Sequence, residues 1–186
     1  MLEQLKDILT CAKELNLNQQ KRPSSNNDVL DDIYDGEKYQ NIIKNEKEKH
    51  FLTLTMNVDG VQLAKDSNTS LWIFTFAINE IKRSERFKLK NIVIGGIAAT
   101  LFKPSRSHML VMMSPIVEEL LVLEKGTDFQ LKSLSGQECM QLKTFLIASC
   151  CDKPAQSLVQ GISEPTGAYG CGRCELQGRT YSLYFT

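Results

Sequence analysis

Two aspartates 93 positions apart, Asp59 in Asn57-Val58-Asp59-Gly60 and Asp152 in Cys151-Asp152-Lys153-Pro154, each close a run of apolar and β-branched residues. If those runs are neighbouring strands, the two carboxylates meet at the strand ends. Two carboxylates held close repel and shift each other's protonation, whereas a divalent cation between them makes the same geometry favourable, and hard oxygen ligands suit Mg²⁺ or Mn²⁺. A pair of such ions clamps the entering and leaving oxygens of a phosphoryl transfer. The same residues also have a plainer reading, with Asp59 a turn aspartate before glycine and Asp152 a helix N-cap two positions ahead of Pro154.

Cys171 and Cys174 form a C-x-x-C flanked by glycines. Two thiolates at that spacing chelate half of a tetrahedral Zn²⁺ site, and the other two ligands would have to come from Cys150, Cys151 or a second chain. An unmetallated pair of thiols is the alternative. Lys82, Arg83, Arg86, Lys88 and Lys90, with Phe87 among them, have the charge to touch a nucleic-acid phosphate backbone, or else they line a solvated connection between strands. Trp72 and Phe74 stand at strand spacing and are expected in the core rather than as base-stacking groups. Gly95-Gly96 lacks the G-x-G-x-x-G spacing, so it is not read as a nucleotide-binding loop, and no small-molecule substrate is expected as a partner.

The chain as a whole is 186 residues long with 42% hydrophobic and 24% charged residues, which fits one globular domain, or one domain and a tail. Twenty-two basic side chains balance twenty-two acidic ones, so net charge points to neither a nucleic-acid nor an acidic partner. Ile92 to Phe102 is the longest apolar run. It is interrupted by Gly95, Gly96 and Thr100 and is too short to span a membrane, so no membrane partner is expected. Met1 to Leu17 lacks the order of a secretory signal, and an intracellular protein with reduced cysteines is expected.

Leu2, Leu5, Ile8, Ala12 and Leu15 recur at helical spacing and are followed by the polar stretch Asn16 to Asn27. Val29 to Ile43 reads as a weaker element and Lys44 to His50 as a solvated charge run, so residues 1–50 look like a helix, a linker and an approach segment. From Phe51 the alternation of Leu52, Leu54, Met56 and Val58 with polar residues predicts a strand that Asp59-Gly60 ends or bends. Ser70 to Ile81 and Asn91 to Phe102 follow as strands, giving an antiparallel meander. Ser114-Pro115 predicts a helix start, with its end at Gly126. A short helix is expected near Gln137 to Leu142, a buried strand over Phe145 to Cys151, a helix over Pro154 to Ile162 and a closing strand over Thr180 to Phe185. A crossover would lay the buried strand parallel to the first, an α/β arrangement.

The stretch from Asn57-Val58-Asp59-Gly60 to Ser70-Leu71-Trp72-Ile73, together with Cys151-Asp152-Lys153-Pro154-Ala155-Gln156 and Gly170-Cys171-Gly172-Arg173-Cys174, resembles CACTA-type DNA transposases and related animal transposase-domain proteins. Pro115-Ile116-Val117-Glu118-Glu119-Leu120 with Gly126, and Asp32-Ile33-Tyr34-Asp35-Gly36 with Tyr39, are similar to segments of such proteins. The resemblance runs from about Asp32 to the C-terminus and implies a partial ribonuclease H-like core over residues 51–186. It implies a first acidic residue on the first strand, matched by Asp59, and a second at the end of the fourth, matched by Asp152. In the family a third acid lies on a later helix and histidine ligands follow the C-x-x-C. Neither has a matching position here, since His50 and His108 both precede the motif.

What the resemblance implies is metal-dependent DNA cleavage and strand transfer with Mg²⁺ or Mn²⁺, a Zn²⁺ knuckle, DNA as partner and a nuclear location, with little or no activity in this chain alone. Whether the chain acts as an enzyme stays open. A noncatalytic transposon-derived module that binds DNA or protein is the alternative, and assembly into a homo-oligomer is compatible with either.

Overall fold

A computed structural model describes residues 1–12, 15–17, 32–47, 49–63, 69–133, 136–164, 167–172 and 177. Five strands form one mixed sheet: β1 (Phe51–Gln62), β2 (Ser70–Ile78), β3 (Ile92–Thr100), β4 (Thr127–Ser133) and β5 (Gly136–Ser149). Their order is β3-β2-β1-β5-β4. β1, β2 and β3 are the expected antiparallel meander, and β5 runs parallel to β1. The crossover from β3 passes through α4 (Arg106–Lys125) and then β4, which pairs antiparallel with β5. The molecule is therefore mixed α/β. The helices are α1 (Leu2–Cys11), α2 (Glu37–Glu46), the single turn α3 (Arg83–Arg86), α4, and α5 (Lys153–Gln160).

Alternation along β1 and β2 builds the main core. Leu54 faces Ile78, Met56 faces Phe76, Val58 faces Phe74 and Gly60 faces Trp72, so one side of the two strands presents an apolar ladder. Leu5 and Leu9 of α1, Met109, Ile116, Leu120 and Leu123 of α4, and Ala155 and Leu158 of α5 close over that ladder. The opposite face carries a smaller cluster of Tyr34, Tyr39 and Phe51, against which Phe145 and Ile147 pack. Successive ring centroids from Tyr34 to Tyr39, Phe51 and Phe145 lie 5.0, 5.4 and 6.1 Å apart. Residues 32–46 are thus a layer of the fold rather than an approach segment. The short turn Ile33–Asp35 is locked by a capping box between Asp32 and Asp35, and it aims Tyr34 inward.

Four further expectations change. Asp59-Gly60 does not end β1, because both residues pair within it, with Ile73 and Trp72. The segment 137–142 is strand rather than helix: pairing with β4 overrides the helix preference of Glu138, Met140, Gln141 and Leu142. The long helix starts at Arg106, where Ser105 Oγ accepts the His108 N–H at 3.2 Å, and Pro115 lies inside it. The apolar period of Met109, Ile116, Leu120 and Leu123 runs straight through the proline, and Val111, whose carbonyl loses its usual donor, is on the solvent side. The expected buried strand over Phe145 to Cys151 is half-buried to exposed: residues 145–149 are the end of the longer β5, and Cys150 and Cys151 follow it. The closing strand over 180–185 lies outside the described residues.

Gly60 is needed for close approach rather than for a turn. A Cβ there would stand 2.9 Å from Cζ2 of Trp72, whose indole lies across the strand. Gly60→Ala is expected to displace the ring and lower stability by about 1–3 kcal/mol through overpacking. Trp72 is the one tryptophan of the chain, so a shift in intrinsic fluorescence with an earlier urea midpoint checks this, and an unchanged spectrum would contradict it.

Candidate functional site

The parallel register fixes where the two aspartates come to lie. Met56 pairs with Ser149, and the Cys150 N–H donates to the Met56 carbonyl at 2.8 Å. Asp59 is three residues beyond Met56 and Asp152 three beyond Ser149, so both fall at the same end of adjacent strands. Beyond Met56, β1 pairs with β2 alone. Both aspartates are exposed. Val58 is buried in the main core, so alternation turns Asp59 toward the opposite face.

Asp152 is the N-cap of α5: its Oδ1 accepts the Ala155 N–H at 2.8 Å, and Pro154 sits in the first turn. The cap anchors the helix whose Ala155 and Leu158 enter the core, and it leaves Oδ2 for another partner. Mg²⁺ keeps much of its water and is commonly held by one or two carboxylates together with substrate phosphates; here the two aspartates share a sheet end, Asp59 on the face opposite the main core and Asp152 at the start of the helix that packs on that core. Among the described residues no group of three or more His, Cys, Asp or Glu converges to hold a metal ion.

Cys171 is exposed and Cys174 lies outside the described residues. The turn carrying Cys171 lies against α5: a Cβ on Gly172 would fall 2.5 Å from Gln160 Oε1 and 2.7 Å from Gln156 Nε2. Every described cysteine is a free thiol, including the neighbours Cys150 and Cys151.

The basic stretch is split by the structure. Lys82, Arg83, Lys88 and Lys90 are exposed, with Lys88 ion-paired to Glu85 and Lys90 Nζ 3.5 Å from the same carboxylate. Arg86 is removed from the nucleic-acid surface, because it is only 4% exposed and its guanidinium is consumed inside the protein. Nη1 and Nη2 reach the two Asp32 oxygens at 2.8 and 2.9 Å, Nη2 also reaches the Asn79 carbonyl at 2.7 Å and the Tyr34 hydroxyl at 3.1 Å, and Nε reaches the Ile81 carbonyl at 3.2 Å. A bidentate pair of this kind combines charge with fork geometry.

That arginine belongs to a buried polar cluster. Glu80 is fully buried: its Oε2 accepts the Thr53 N–H at 2.7 Å and its Oε1 the Thr53 hydroxyl at 2.7 Å. The Tyr39 hydroxyl also donates to Glu80, and Tyr34 donates to the Asn79 carbonyl. Asn79 Nδ2 donates to Thr53 Oγ1 at 3.1 Å, and its Oδ1 accepts from the Thr55 hydroxyl at 2.9 Å. Burial pushes the Glu80 carboxyl up to about 7, against the Thr53 hydrogen bonds and the Arg86 charge, which pull it down. Burial would raise Asp32 too, but the hydrogen bonds from Arg86 and the Ile33 N–H hold it below the usual carboxylate range. Burial raises both tyrosines. The cluster joins the 33–35 turn, α2, β1, the residues just after β2 and α3, and it ties residues 32–46 to the sheet. Its trace in the sequence is the polar pair Asn79-Glu80 set between Ile78, the last residue of β2, and Ile81.

No protein-family model, curated protein or solved structure matches this chain.

Proposed function

We propose that the chain carries a transposase-like, ribonuclease H-like DNA-processing core, in which Asp59 and Asp152 hold Mg²⁺ or Mn²⁺ beside a DNA phosphate. The observation that carries this reading is the parallel pairing of β1 with β5, which brings two aspartates 93 positions apart to one end of the sheet. The meander-then-parallel order β3-β2-β1-β5-β4 supports it as well. One departure stands: β4 precedes the parallel strand, so Asp152 follows the fifth strand rather than the fourth.

A bound divalent ion would supply charge neutralisation at the scissile phosphate. The protein's own part is positional. The α5 cap fixes one Asp152 oxygen and leaves the other accessible, while strand pairing with Ile73 holds Asp59. With two carboxylates and no third acid converging among the described residues, cleavage by the isolated chain is expected to be weak or undetectable. Metal binding is therefore the sharper test. Mn²⁺ added to isotope-labelled protein is expected to broaden the amide signals of residues 58–60 and 150–153 together, and Asp59→Asn and Asp152→Asn should each weaken the effect at both segments. Broadening at neither segment, or at one independently of the other, would overturn the paired site.

The noncatalytic alternative is favoured by a specific observation, the use of Asp152 as a helix cap. On that reading Lys82, Arg83, Lys88 and Lys90 give salt-sensitive DNA binding that survives both asparagine substitutions. A Zn²⁺ role for Cys171 and Cys174 is compatible with either reading.

A further inference from the structure

We propose that α4 is a self-association surface that pairs antiparallel with α4 of a second copy of this chain. The helix is 20 residues long and apolar on two sides. Met109, Ile116, Leu120 and Leu123 enter the core, whereas Leu110, Val117 and Leu121 are 62%, 42% and 52% exposed on the other side. A contiguous exposed apolar stripe rimmed by charged residues marks an interaction surface. Leu110, Ser114, Val117 and Leu121 follow one another at spacings of four, three and four, which is the stripe along which two helices interlock.

The charges beside that stripe select the occupant. At about 100° per residue, Arg106 and Glu124 lie on the same flank of the stripe, one at each end of the helix. Both are exposed, and neither has an ion-pair partner among the described residues. Glu119, by contrast, is committed to the Met1 amino group at 3.2 Å. When two helices pack antiparallel, like flanks meet. A two-fold axis near the middle of the stripe then sets Leu110 against Leu121 of the second copy, and Arg106 against its Glu124, with both contacts repeated by symmetry. A surface with opposite charges at its two ends is complementary to its own inverted copy, which is the requirement of a two-fold interface. Parallel pairing would instead set unlike flanks together and hold Arg106 and Glu124 of the two copies at opposite ends, unpaired.

The test is the molar mass of the full chain, by light scattering after size exclusion or by sedimentation, over a roughly hundredfold concentration range. Wild type is expected to show a concentration-dependent monomer–dimer equilibrium, and Leu121→Glu should hold the chain monomeric. Arg106→Glu and Glu124→Arg are each expected to weaken association by about tenfold, and the double exchange should recover most of that loss. All three positions are exposed, so circular dichroism and the urea midpoint should stay near wild type, and the double exchange answers the case in which a single variant misfolds. A chain that is monomeric throughout the range would overturn the proposal, leaving the stripe to some other partner. So would a dimer indifferent to Leu121→Glu, or a double exchange no better than the single ones.

Discussion

Arg86→Ala is expected to lower the free energy of unfolding by roughly 3–5 kcal/mol, the range found when one member of a buried ion pair is removed. The substitution leaves Asp32 without its bidentate partner, takes away the Arg86 donor to the Ile81 carbonyl and leaves the Asn79 carbonyl with Tyr34 alone of its two donors. Arg86→Lys should rescue little, because one ammonium cannot reproduce a planar fork that reaches Asp32, Tyr34, Asn79 and Ile81 at once. Asp32→Asn is expected to be milder, since its side chain retains some exposure and an amide can still accept one hydrogen bond. Urea unfolding followed by circular dichroism gives the ranking. Hydrogen exchange should show the amides of residues 33–46 losing protection first. A loss below about 1 kcal/mol for Arg86→Ala, the range of exposed surface pairs, would mean that the cluster does not hold that layer to the sheet.

The second large effect is a pH dependence of unusual direction. The Glu80 carboxyl rises from an ordinary 4.5 to about 7 in the folded chain, mainly through burial. Between those two values the folded state holds a proton that the unfolded state has released, so the unfolded state binds fewer protons and stability falls as pH rises. The favourable contribution is fully present below about pH 4.5 and is lost as pH climbs through about 7. The lost contribution is on the order of 3 kcal/mol at most. Asp32 acts with the opposite sign but at lower pH, because its depressed value lets stability grow as pH rises through the acid range. The two windows are therefore separable. Glu80→Gln should flatten the fall between pH 5 and 7 while keeping the fold, since an amide oxygen can accept the Thr53 N–H and its NH₂ can donate to the hydroxyls of Thr53 and Tyr39. Chemical unfolding of both proteins at several pH values is the measurement. A parallel pair of pH curves would show that Glu80 is not the titrating group.

The legible parts of the sequence were those written in local periodicity. The alternation of Leu52, Leu54, Met56 and Val58 is the inward face of β1, the spacing of Leu2, Leu5 and Ile8 is α1, and Asp152 ahead of Pro154 is the cap of α5. The misread parts were those where a distant partner outweighs local preference. Residues 137–142 carry good helix formers yet are held extended by six residue pairings with β4. Ser114-Pro115 looks like a helix start, but the apolar stripe that packs on the sheet carries the helix through it. Asp59-Gly60 looks like a turn, but Trp72 from the next strand needs the space that a glycine leaves.

By itself, then, the sequence determined the apolar faces of its elements, the antiparallel meander and the presence of an aspartate at the close of each of two runs, because these depend on side-chain period and on groups a few residues apart. Only the tertiary structure decided that β1 and β5 lie parallel and bring Asp59 and Asp152 to one end. It alone took Arg86 out of the basic stretch to meet Asp32 across 54 positions, and it alone left the outer stripe of α4 bare. The reason is physical. A charged side chain carries no local signal of whether it will be solvated or desolvated, and that outcome is set by which remote groups arrive to satisfy it.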